Sequence, residues 1–281
     1  MFPYYTAAPV TESVTAIRSV MDEILYLIRG EDRAILIDTC SGVGHLRDFV
    51  RNLTDKPLTV LLTHGHVDHA MGAPEFEDVH LNRLDRPVYD EMAPLAVRKE
   101  YIAMGVGDRI NEITADDYVP PYPVSLLPLE DGDSFDAGGI HVDAFHFPGH
   151  TPGMTALLIR EERILILSDG CNQRTFLFDH NSVSVEEYRE NVLALKKRTA
   201  GHYDRLFVSH GTMEVPLSIL DEAVELCDVV LSGRADDVPF EFMGQTAYVA
   251  KSFDEATGMR RDGRFFNMVY NKDRVHRRPN A

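Results

Sequence analysis

Four side chains of metal-ligand type fall within six residues, directly after an apolar run, and no other feature constrains this chain as tightly. In LLTHGHVDHAMG, His64, His66, Asp68 and His69 follow the strand-like stretch Leu58–Thr63. Extended alternation would put His64 and His66 on one side, with Asp68 and His69 opening the next helix. Imidazole and carboxylate donors together suit zinc, and also iron or manganese. Twelve histidines in 281 residues make three in six positions improbable by chance. The loop therefore reads as metal-binding, and a fold has to hold it rigidly.

Three more candidates sit far along the chain in the same local setting. His150 lies in FHFPGHTPG, just past a strand; Asp169 ends ILILSDG; His210 ends LFVSHG. In each case an apolar run meets a ligand-type residue beside glycine. Open α/β sheets bind ligands outside the carboxyl ends of their strands. Four such ends meeting at one sheet edge would gather seven ligands.

The rest of the pattern is α/β. Strands are expected at 23–28, 34–38, 58–63 and near 79–81, with a helix over about 44–53. After residue 123 they resume at 140–147, 154–159, 164–168 and 206–209, with late strands at 246–252 and 264–270. Residues 185–199 read as an amphipathic helix, with Ser184 as N-cap and Glu187 at the capping-box position. Pro216 and the spacing of Leu220, Val224 and Cys227 mark another. Residues from about 83 to 123, with GVG and PPYP, read as a helical insertion or lid. Strand-then-helix units on both sides of it suggest two similar halves. The whole is expected to be one domain over 1–281, with a C-terminal extension at about 212–281.

The succession HxHxDH, PGHT, SDG and SHG resembles the metallo-β-lactamase superfamily, closer to its glyoxalase II-like, thioesterase and lactonase branches than to the true β-lactamases. The resemblance runs from about residue 23 to 211. It implies an αββα sandwich of two mixed β-sheets flanked by helices. It also implies two divalent ions, zinc by preference and manganese or iron as alternatives. His64, His66 and His150 would hold the first; Asp68, His69 and His210 would hold the second; Asp169 would bridge them. Asp38, in LIDTCSG, matches the family's early aspartate and would orient a ligand.

Two such ions roughly 3.5–4 Å apart can bring a shared water's pKa towards about 7. Four metal charges less Asp68, Asp169 and a bridging hydroxide leave about +1 to stabilise an oxyanion. The expected activity is hydrolysis of a small-molecule acyl bond (thioester, lactone or related ester), with Asp68 orienting the hydroxide as the catalytic residue. The alternatives are a small-molecule phosphodiesterase on the same two metals, a mononuclear-iron sulfur dioxygenase and a non-catalytic scaffold. A complete ligand set counts against the last two.

Charge narrows the partners. With 28 Lys+Arg against 45 Asp+Glu, a formal −17, the surface repels polyanions, so no nucleic-acid partner is expected. No apolar run approaches the roughly 20 residues of a membrane span. The N-terminus lacks a basic start followed by an apolar stretch, and three scattered cysteines make no disulfide framework. A small-molecule substrate, a cytoplasmic setting and room for a homo-oligomer are the expectations. Near the site, Cys171 would line the pocket rather than act as a nucleophile, and His45 would mark a helix start. Tyr101, Met104 and the PPYP stretch would shape the pocket; no substrate contact is assigned.

Overall fold

The computed structural model describes residues 3–121, 124–242 and 244–277. Its first sheet runs in chain order: β1 (Tyr5–Pro9), β2 (Val14–Ser19), β3 (Ile24–Arg29), β4 (Ala34–Ile37), β5 (Leu58–Leu61), β6 (Val79–Leu81) and β7 (Leu126–Pro128). The first four strands pair antiparallel. From β4 onward the pairing is parallel, with helix α1 (Leu46–Arg51) crossing from β4 to β5.

The second sheet repeats that plan. Strands β8 (Ser134–Asp136), β9 (His141–His146), β10 (Thr155–Ile159) and β11 (Ile164–Ile166) pair antiparallel. The chain then leaves through β12 (Arg174–Leu177), crosses back along a long helix, and pairs β13 (Arg205–Phe207) parallel to β11. A short β14 (Glu214–Val215) closes the edge. Three antiparallel pairs followed by a parallel crossover occur in each sheet, so the two halves share a plan without sharing a sequence.

Strand pleating explains the layers. In β3 and β10 every residue but the last of β3 is buried, because alternate side chains face opposite layers. Ile24, Tyr26 and Ile28 pack with Leu157, Ile159 and Phe207 between the sheets. Leu25 and Leu27 face the other way, towards α1, while Ala156 and Leu158 face the helices of the second half. The result is the expected four-layer order of helices, sheet, sheet and helices.

On the first sheet's outer side the chain forms α2 (Val67–Ala70), α3 (Arg86–Met92) and α4 (Leu95–Val106). The second sheet carries α5 (Val185–Thr199) and α6 (Ile219–Leu231). The capping box forms as expected: Ser184 accepts from the Glu187 amide, and the Glu187 carboxylate accepts from the Ser184 amide. Pro216 precedes α6 instead of sitting in its first turn; its carbonyl accepts from the Ile219 amide.

A third sheet was not expected. Strand β12 pairs parallel with β17 (Asn267–Tyr270), which continues antiparallel through β16 (Gln245–Val249) to β15 (Val238–Phe242). The chain beyond residue 212 thus folds back beside the second half. Among the described residues, no helix is long and apolar enough to cross a membrane.

Candidate metal centre

All four parallel strands of the two crossovers deliver a site residue just past their carboxyl ends. Asp38 follows β4, His64 follows β5, Asp169 follows β11 and His210 follows β13; His150 lies in the turn between β9 and β10. The chain leaves β4 and β11 through non-glycine residues of positive φ, Asp38 at 63° and Ser168 at 48°. Backbone of this kind is strained and persists only where surrounding contacts over-determine it. Those contacts are hydroxyls. Ser209 donates to Ser168 at 3.0 Å, Ser168 and Thr63 lie 3.1 Å apart, and Thr63 donates to both Asp38 oxygens at 2.8 and 3.0 Å. Four strand ends are tied by one buried chain.

The seven expected ligands meet in two adjacent groups. His64, His66 and His150 form one, and Asp68, His69, Asp169 and His210 the other, each with its donor atoms within 4.8 Å of one another. Extended alternation does not apply to the first loop, because β5 ends at Leu61 and His66 is the residue before α2. The tight turn through Gly65 brings His64 and His66 together instead. Asp169 joins the groups: its Oδ2 is 3.4 Å from His69 Nε2, 3.4 Å from His210 Nε2 and 3.8 Å from His150 Nε2.

Three of the five histidines are aimed by their other nitrogen. His69 Nδ1 bonds Asp38 Oδ2 at 2.8 Å, His150 Nδ1 donates to the Phe176 carbonyl at 2.7 Å, and His64 Nδ1 lies 3.1 Å from the Thr63 hydroxyl. Their Nε2 atoms are left facing the groups. Among the described residues His64 Nε2 is buried with no hydrogen-bond partner, which natively paired interiors rarely tolerate. His66 Nδ1 approaches His150 Nε2 to 2.9 Å, and His69 Nε2 approaches His210 Nε2 to 3.2 Å. Imidazole lone pairs converging on shared points, one of them orphaned, fit divalent cations.

The electrostatics differ between the groups. Burial, with help from the neighbouring imidazoles, holds His64 and His66 below their ordinary range and so neutral, the form a metal ligand requires. In the second group burial opposes charge, but the carboxylates win. Asp68, Asp38 and Asp169 raise His69, and Asp169 and Asp68 raise His210. Burial would likewise raise Asp68, yet His69 and His210 pull it below the usual carboxylate range.

Several functional neighbours were not anticipated. Asp85, fully buried, accepts from the Gly65 amide at 2.9 Å, the Thr151 hydroxyl at 2.7 Å and the Gly153 amide at 2.5 Å. It clamps the His64–His66 turn to the His150 turn. Glu23, buried behind the second group, accepts from the Ser19 and Ser41 hydroxyls, and its backbone bridges to His210. Thr63, Ser168 and Ser209 carried a readable signal, since each immediately precedes a candidate ligand. Asp85 and Glu23 sit in sequence with no motif around them.

The helical segment also reaches the centre. Tyr101 on α4 donates to Asp68 Oδ2 at 2.7 Å, the oxygen that faces His69 and His210. One turn earlier, the fully buried Arg98 donates to the carbonyls of Ser41, Gly42 and Val119. Any opening of α4 has to break these three buried bonds. Met104 is exposed, while Tyr122 and Pro123 of the PPYP stretch lie outside the described residues. Cys171 does not line the pocket: it packs in the core against Tyr188, and burial pushes its thiol up to about 12. His45 precedes α1 as expected and bonds the Asp116 carbonyl.

The centre opens on a cavity of about 570 Å³. One wall carries His66, Asp68, His150, Asp169 and His210, and another carries Phe176, Phe178 and Phe242.

Comparison with known proteins agrees with this geometry. The family model for the metallo-beta-lactamase superfamily matches residues 25–210. The acyl-coenzyme A thioesterase MBLAC2 of Gallus gallus is 29% identical over 160 residues, 52% of this chain and 56% of that protein. An uncharacterized protein of Mycobacterium tuberculosis (strain ATCC 25618 / H37Rv) is 35% identical over 122 residues, 43% of this chain and 52% of that one. The match thus spans about half the length of these relatives. The probable metallo-hydrolase YqgX of Bacillus subtilis (strain 168) is 23% identical over 192 residues, covering 63% of this chain and 83% of it. Among solved structures, a metallo-beta-lactamase from Pontibacter korlensis superposes with a TM-score of 0.58 at 15% identity, over 79% of this chain and 97% of that one. A stereoselective inverting sec-alkylsulfatase from Pseudomonas sp. reaches 0.62 at 15% identity, over 82% and 42%. Likeness at that identity establishes the fold alone.

Proposed function

This chain belongs to the metallo-β-lactamase superfamily, and from that premise we propose that it is a two-metal hydrolase cleaving an acyl bond, a thioester, lactone or related ester, in a small molecule. One observation carries the reading: two convergent ligand groups, joined by Asp169, stand in the wall of a largely apolar cavity. The thioesterase activity in the name of the chicken relative supports the same bond type.

His64, His66 and His150 would hold one cation, Asp68, His69 and His210 the other, and Asp169 both. Bound there, two divalent ions would acidify a water and stabilise developing negative charge on the attacked oxygen. Zinc suits the donor set best, with manganese or iron as alternatives. The protein's own groups do the rest. Asp38 holds the His69 Nδ1 proton, so that Nε2 stays a lone-pair donor. Asp68 orients the attacking water and takes its proton, with its carboxylate rotation fixed by the Tyr101 hydroxyl. The phenylalanine wall excludes water and receives the acyl group. Phosphodiesters fit less well, because the Phe176, Phe178 and Phe242 wall suits an apolar acyl body beside the centre. A small-molecule substrate is the partner this cavity suits.

The test is turnover by purified protein loaded with zinc or manganese, on acyl thioesters and lactones against a small phosphodiester, with His66→Ala as control. Acyl turnover that disappears in the control is expected. Phosphodiester turnover alone would replace the reading.

A further inference from the structure

We propose that the cavity is shaped for an amphipathic acyl substrate, whose bulky apolar body lies on Phe176, Phe178 and Phe242 and whose remote anionic group is taken by Arg174. This rests on the hydrolase reading above and names the substrate class for that site.

The wall follows from pleating. Along β12 and the residue after it, Arg174, Phe176 and Phe178 project to one face, while Leu177 packs into the core beneath. On β15, Phe240 and Phe242 share a face in the same way. These strands form opposite edges of the third sheet. The sheet nevertheless curls over the small residues Ala247, Val249 and Val269, and its edges meet. Phe176 lies 5.7 Å from Phe240 and 5.5 Å from Phe242, and Phe178 lies 6.2 Å from Phe242, ring centre to ring centre. Edge-to-face rings at these distances form a stiff apolar surface. It shares the cavity with His66, His150 and His210, so a body resting on it keeps its carbonyl within the same space as the centre.

Arg174 is the one Lys or Arg among the described residues lining that cavity. Its guanidinium stacks on Phe253 at 4.0 Å, and among the described residues it has neither a hydrogen bond nor an ion pair. Burial lowers its pKa, though arginine keeps its charge at any working pH. A half-buried guanidinium with all five donors unmatched has lost hydration without gaining a hydrogen-bonding partner. In a protein of net charge −17, whose abundant carboxylates pair most exposed cations, an unmatched one in the cavity is a place for a ligand's anion. Asp179, in the same cavity, is already taken by His180 at 2.6 Å. Contact with the Phe253 ring holds the guanidinium in place without using its N–H donors, which are left for bidentate contact with an anion.

The experiment is calorimetric titration of the metal-loaded protein with 4-phenylbutane-1-sulfonate and with its neutral counterpart, methyl 4-phenylbutyl sulfone. Sulfonate is a poor metal ligand, so its charge reports on the protein. The sulfonate should bind about tenfold tighter. Arg174→Gln should bring the ratio within twofold, Arg174→Lys should keep part of it, and Phe242→Ala should weaken both probes by a similar factor. Equal affinities in the unaltered protein, which need no variant to fold, would overturn the proposal. So would a tenfold preference that survives Arg174→Gln. Thioester turnover without the preference removes the subsite and leaves the hydrolase; the preference without turnover does the reverse.

Discussion

The two walls of the cavity are held by different means. On the metal side, positions come from buried polar bonds: Asp38 on Thr63 and His69, Asp85 on Gly65, Thr151 and Gly153, and the Ser209–Ser168–Thr63 chain. On the other side, positions come from ring packing among Phe176, Phe178, Phe240 and Phe242. Directional bonds set a donor atom to within tenths of an ångström, as metal chemistry demands. Packed rings set only a surface, and volume-conserving swaps there are tolerated. On the proposed reading, one wall serves a fixed reaction and the other a substrate that can change.

If that contrast holds, the largest effects come from the metal side. Asp169→Ala removes the carboxylate shared by both groups. Metal content by mass spectrometry should fall for both ions, and kcat/KM should drop by about 10³-fold or more. Full metal content in that variant would sink the bridging assignment and, with it, the idea of a single welded wall.

Next in size is Asp85→Ala. It leaves two amides and a hydroxyl buried without an acceptor, so urea unfolding should show a loss of about 3 kcal/mol. Asp85→Asn retains one good acceptor and should cost less. A loss below about 1 kcal/mol would mean that the two histidine turns are held by packing, as the phenylalanine wall is.

Glu23 gives a pH test on the same side. Burial, with Asp68 adding and His210 opposing, pushes its carboxyl up to about 7 from 4.5. A raised folded pKa means that its contribution is fully present below about pH 4.5 and is lost as pH rises through about 7. In metal-free protein Glu23→Gln should therefore gain stability relative to the parent between pH 5 and 8, on the order of 2 kcal/mol. A constant difference across that window would show that Glu23 is ionised throughout and already paired.

The contrast also explains what could be read from the sequence. The metal side was legible because ligand chemistry admits few residue types, and because strand ends place them beside glycine and after a hydroxyl: Thr63–His64, Ser168–Asp169, Ser209–His210. The central strands of both sheets were legible from their apolar runs, whereas β1, β2, β7, β8 and β14, shorter or more exposed, were not. Asp85 was not, since a lone aspartate in a helical stretch looks the same whether solvated or buried under three donors. Nor was the phenylalanine wall. Val238–Phe242 and Arg174–Leu177 are ordinary alternating segments 60 residues apart, and only the parallel pairing of β12 with β17 brings them together. Arg98 reads as a helix-surface cation, yet it is buried and bonded to three carbonyls.

Tyr101 is where the two walls join, and it gives the smallest effect with the sharpest meaning. It lines the cavity as a substrate-facing residue does, but its hydroxyl is spent on Asp68. Tyr101→Phe keeps the ring, and so the packing of α4 fixed by Arg98, and deletes only one hydrogen bond to a carboxylate. If Tyr101 acts through Asp68, kcat should fall about fivefold with KM unchanged, metal content should be retained, and the acidic limb of the pH–rate profile should move to higher pH as the Asp68 carboxylate loses a donor. If it serves the substrate wall instead, KM should rise while kcat and the pH profile stay put. The second outcome would shift the boundary between the rigid wall and the adaptable one by a full helix, leaving Asp68 oriented by its histidine neighbours alone.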